Sequence, residues 1–117
     1  MIGVSYVGSF GATSTGSGSA AAVSILSIGR QIVGTSGVAV ALVATSTPCQ
    51  SIIVCGDVDA GIVTVIGDSN VVATTTGING VIIIPGNSPV TISSTNAGDV
   101  YVDAQENGGA VSFVIIG

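Results

Sequence analysis

The stretch Val100-Tyr101-Val102-Asp103-Ala104-Gln105-Glu106-Asn107-Gly108-Gly109-Ala110-Val111-Ser112-Phe113-Val114-Ile115-Ile116-Gly117 decides the fold class. Each of its two halves alternates at a period of two. In the first, Val100 and Val102 point one way and Tyr101 and Asp103 the other. In the second, Val111, Phe113 and Ile115 oppose Ser112, Val114 and Ile116. Alternation over β-branched and aromatic residues is the strand signature, because successive side chains leave a pleated backbone on opposite sides. Asn107-Gly108 between the halves is a turn dipeptide, since both residues tolerate positive φ.

The same pattern extends back to Gly29. Short runs of Val and Ile, separated by Gly, Asn, Asp or Pro, predict strands near 29–34, 38–45, 50–56, 61–67, 70–75, 80–84, 88–93, 98–104 and 110–116. Gly67-Asp68, Asn79-Gly80 and Pro85-Gly86 supply further turns. Val38, Val40 and Leu42 oppose Ala39, Ala41 and Val43, and Val63 and Val65 oppose Ile62, Thr64 and Ile66. Helix signals are missing: Leu, Glu and Arg are scarce, Lys is absent, and the Ala-rich 20–23 is too short to nucleate alone. The expectation is an all-β, antiparallel β-sandwich, jelly-roll-like because that is the commonest use of about eight such strands. Several strands are apolar on both faces, more than one core consumes, which points to protein neighbours on the outside.

Residues 1–28 differ. Gly, Ser, Ala and Thr surround scattered apolar groups, no single period holds throughout, and Thr13-Ser14-Thr15-Gly16-Ser17-Gly18-Ser19 reads as linker. Two units are therefore expected, an extended N-terminal arm over 1–28 ordered against another subunit and a β-sandwich domain over 29–117.

Charge narrows the function. The 117 residues hold one Arg, no Lys, no His and six acids, a net charge of -5, with only 6% of residues charged. Soluble domains average about 25%. With one cation, nucleic-acid binding by phosphate neutralisation is excluded. Without His, so are Ser-His-Asp and Cys-His catalysis and His-ligated zinc. At 47% apolar residues and a mean hydropathy of +0.86 the chain carries enough apolar surface to fold. Its longest clean apolar run is 38–44, far short of the roughly 20 residues of a bilayer span, so no transmembrane helix is expected. A basic, apolar secretory leader is not evident either.

Few residues suggest chemistry. Cys49 and Cys55 flank a β-branched run that would hold them roughly 20 Å apart on one strand, too far for a disulfide; both read as buried thiols. Asp57 and Asp59 could open a calcium loop, but Gly61 at its fifth position and the missing Glu at its twelfth leave a solvated turn. Asp99, Asp103 and Glu106 lack the sugar-stacking aromatics of a glycosidase cleft. Arg30, the one strong cation, is expected to pair with one of the six acids, within the chain or across a subunit boundary. No catalytic, cofactor-binding or metal residue is assigned. The candidate interface is Ile2, Val4, Tyr6, Val7, Phe10, Val23, Ile25, Leu26, Ile28 and Arg30.

The order Gly29-Arg30-Gln31-Ile32-Val33, Gly37-Val38-Ala39-Val40-Ala41-Leu42, Pro48-Cys49-Gln50-Ser51-Ile52, Val65-Ile66-Gly67-Asp68-Ser69, Ile84-Pro85-Gly86-Asn87-Ser88 and Asp99-Val100-Tyr101-Val102-Asp103-Ala104 resembles a class of small virion proteins of tailed bacteriophages. The likeness covers about three quarters of the chain. It implies a non-enzymatic cement or decoration protein, often a homotrimer, that sits on the capsid surface and stabilises the major capsid protein shell. Such a protein would be made in the host cytoplasm, with no cofactor, nucleic acid or membrane as partner. The near absence of charge and the long apolar arm depart from the class. The alternative is a tail, fibre or receptor-binding component whose loops 68–70, 86–89 and 105–109 touch a host glycan; a cellular self-assembling β-protein ranks third. Charge placement adds a last expectation. Arg30 stands alone in the first 56 residues and all six acids follow, so the uncharged half should meet protein and the acidic half water.

Overall fold

The computed structural model describes residues 24–74 and 78–117. These residues are crowded with Val, Ile and Thr, whose branched Cβ atoms restrict them in a helix but suit a pleated surface. They form eight strands: β1 (Ile25–Val33), β2 (Val40–Ala41), β3 (Ser51–Gly56), β4 (Thr64–Gly67), β5 (Val81–Ile83), β6 (Val90–Ser93), β7 (Tyr101–Ala104) and β8 (Gly109–Ile116). Every pairing is antiparallel. The first sheet has the order β1-β8-β3-β6 and the second β2-β7-β4-β5. The chain changes sheet at every connection except β4 to β5. Gly108, at φ +90°, occupies the expected Asn107-Gly108 turn, which carries the chain from β7 in one sheet to β8 in the other.

The two sheets share one core. Val33, Ile52, Val54, Val111, Phe113 and Ile115 from the first meet Ile66, Ile83, Val102 and Ala104 from the second. The alternation of 111–115 is thus the alternation of core and exterior. Phe113 lies against Gly29 of β1, where a Cβ would come within 2.7 Å of the ring.

Several expectations change. β1 begins at Ile25, so residues 25–28 pair with β8 instead of belonging to a separate arm that ends at Ile28. Residues 70–75 are no strand among the described residues: Val72 makes one isolated bridge to Asn79, while Val71 and Ala73 are buried. With Val65 on the outer side of β4 they form a second small cluster, against which Ala39 and Tyr101 pack. The segment after Gly67 therefore folds back over the second sheet, and the apolar surplus of β4 is covered by the chain itself. The strand expected over 38–45 shortens to Val40–Ala41, and Val38 is exposed. The stretch before Tyr101 becomes a 3-10 turn, Ala97–Asp99, because the Asn96 side chain caps it by accepting from the Gly98 N–H at 2.8 Å. Cys49 and Cys55 are free thiols, but each is only half-buried.

Candidate interaction surface

Among the described residues, the outer face of the first sheet presents an open apolar surface. Register places Ile28 of β1, Val114 of β8, Ile53 of β3 and Thr91 of β6 in one row, and Arg30, Ser112 and Cys55 in the next. Apart from Thr91, and with Pro89 at the end, these residues line an open groove of about 660 Å³. The reason lies in the sequence: β3 and β8 carry apolar side chains on both pleats, and only one pleat of each can reach the core.

One ion pair borders the groove. Arg30 Nε donates to Asp57 Oδ2, joining β1 to the turn that follows β3. The Asp57 side chain is only 10% exposed against 48% for Arg30. Its second oxygen, Oδ1, accepts the N–H of Asp59 at 2.9 Å and faces that of Ala60 at 3.4 Å. The Arg30 hydrogen bond is the main cause of an Asp57 carboxyl held below its ordinary value. Partial desolvation works against it, and the two backbone N–H groups work with it. The acid expected to pair with Arg30, within the chain or across a subunit boundary, is Asp57 of the same chain, and Asp57 and Asp59 occupy a turn as expected. Among the described residues no group of three or more His, Cys, Asp or Glu is placed to hold a metal ion.

Asp103 overturns the expectation that the acidic half faces water. It is fully buried, and its Oδ1 accepts the N–H of Gly37 at 2.9 Å and of Ala104 at 2.8 Å, its Oδ2 that of Ala73 at 2.9 Å. The carboxylate pins the turn before β2 and the covering segment to the outer side of β7. Alternation set Asp103 on the pleat opposite Val102, but it carries no information about a covering segment thirty residues away.

Of the sequence-derived interface, Ile25, Leu26, Ile28 and Arg30 lie together on β1, the exposed edge of the first sheet, whereas Ile2, Val4, Tyr6, Val7, Phe10 and Val23 lie outside the described residues. Sequence reasoning missed Ile53, Cys55 and Val114 as members of the same surface, although the two-faced alternation of β3 and β8 was the available signal. Tyr101 packs against the second cluster instead of standing free. No helix among the described residues is long and apolar enough to cross a membrane. No protein-family model, no curated protein and no solved structure matches the chain.

Proposed function

We propose that the chain is a non-enzymatic structural component of a tailed-phage virion, a decoration or cement protein that binds the major capsid protein at the capsid surface and associates with itself as a trimer. The observation that carries this reading is the open, nearly uncharged outer face of the first sheet, where Ile28 is exposed and Ile53, Cys55 and Val114 are half-buried. The strand orders β1-β8-β3-β6 and β2-β7-β4-β5 support a jelly-roll sandwich, because eight strands that alternate between two facing sheets trace two interlocked Greek keys. In this reading the N-terminal arm reaches a neighbouring subunit. Attachment rests on apolar burial at roughly 25 cal/mol per Å². It depends little on salt, since the one exposed cation is already paired within the chain.

The test uses purified protein and phage shells that lack it. Binding should survive a rise from low to high salt, immunogold labelling should mark the head, and Ile28→Asp or Val114→Asp should weaken attachment at least tenfold. Salt-driven release, or binding untouched by both substitutions, would overturn the mechanism. Labelling of the tail would favour the fibre reading.

A further inference from the structure

The four sheet edges are unequally defended. β2 spans two residues and β5 three, the latter ending two residues before Pro85, and β6 spans four and follows Pro89 directly. Short strands and flanking prolines are the usual protection against edge-to-edge pairing. β1 has neither. It runs nine residues without Pro or Lys, with a register shift between Ile25 and Ser27, pairs among the described residues only with β8, and its single charge, Arg30, is held by Asp57. Its Ile25, Leu26, Ile28 and Ile32 are 68%, 48%, 72% and 48% exposed. Apart from the Ile32 carbonyl, which accepts from Gln31 Nε2 at 3.3 Å, the outward N–H and C=O groups of this edge find no strand among the described residues, and only another extended strand can satisfy them in full.

We infer that β1 is a self-pairing edge: it joins β1 of a second copy of this chain, antiparallel about a two-fold axis, into one continuous eight-stranded sheet. Three features commit the edge to its own copy. An antiparallel pair about a two-fold axis is self-complementary, so one strand supplies both sides and the contact closes at two copies. The neutralisation of Arg30 by Asp57 removes the like-charge clash that would otherwise oppose two identical strands. The pairing also places Ile28 and Ile32 beside the partner's strand and makes the two grooves contiguous. It goes beyond the capsid reading, is distinct from the three-fold association proposed there, and does not depend on it.

One strand pair is a small interface, so self-association on the order of micromolar is expected, dissociating on dilution. The test is sedimentation of the full chain over a wide concentration range together with amide hydrogen exchange. The expected result is a concentration-dependent doubling of the particle mass found on dilution, whether that particle is one chain or the proposed trimer, in which β1 amides slow as concentration rises. Ile28→Lys, a charge on the edge at a site outside the core, should weaken it at least tenfold, while Ile82→Lys on the opposite sheet's edge should leave it unchanged. No doubling of mass at any concentration, β1 exchange independent of concentration, or equal loss with Ile82→Lys would overturn the inference. None of these outcomes bears on shell binding, which is read separately with the same wild-type protein.

Discussion

The Asp103 carboxylate is buried on the outer side of β7 and accepts three backbone N–H groups from three separate parts of the chain. Asp103→Ala leaves those donors unpaired. At roughly 1.5–3 kcal/mol for each hydrogen bond to a charged acceptor, offset by the carboxylate's own desolvation, a loss of about 3 kcal/mol is expected in urea unfolding. Glu106→Ala, at an exposed acid two residues beyond β7, should stay within about 0.5 kcal/mol. The Arg30–Asp57 pair predicts a pH effect whose sign follows from its direction. Because the folded carboxyl lies below its ordinary value of 3.8, the pair contributes stability above that pH and loses it as pH falls through the lower folded value. The gap in urea midpoint between wild type and Asp57→Asn should therefore be constant from neutral pH to about pH 5 and narrow in more acid solution; a gap that widens on acidification would contradict the assignment. That Arg30 needs a partner was legible from its being the only cation. The partner's identity was not, because 27 residues separate the two and only the β1-β8-β3 register brings them together.

At the scale of elements, two glycines with opposite surroundings test how the turns are built. Gly80 opens the way into β5 at φ +115°, and a Cβ there would lie 2.5 Å from the Ile66 carbonyl oxygen. Gly80→Ala should cost about 2 kcal/mol or more, through backbone strain and contact with a backbone atom that cannot yield. Gly34, just after β1, has open space around it and no positive φ, so Gly34→Ala should be neutral or stabilise by up to about 1 kcal/mol. Thermal unfolding of both variants measures the contrast. Strand locations at β3, β6 and β8 were legible because alternation and turn residues coincide there. The stretch 70–75 misled for a physical reason: Val71 and Ala73 are apolar because they cover Val65, and covering a sheet requires the same residues as extending one. β1 was read as starting at Gly29, since the apolar residues before it show no regular period, yet the pairing of Ile28 with Val114 and of Ile25 with Ile116 carries the strand back to Ile25.

At the scale of the whole molecule, only the β4–β5 connection joins neighbours in one sheet; every other connection spans the core. Contacts between residues distant in sequence must therefore form before local ones can stabilise them, and refolding is expected in milliseconds to seconds. Stopped-flow refolding in microseconds would contradict that topology. Sequence alone determined that the chain is all-β, carries one cation in need of an acid, and has more apolar surface than a single core consumes. These follow from residue type and local period, which a short window contains. The tertiary structure decided the strand order, the burial of Asp103 beneath a covering segment, and which apolar surplus stays open among the described residues, namely the outer face and β1 edge of the first sheet. Those depend on which distant strands fill the shared core together, and a period of two, repeated in every strand, is the same whichever neighbour a strand takes.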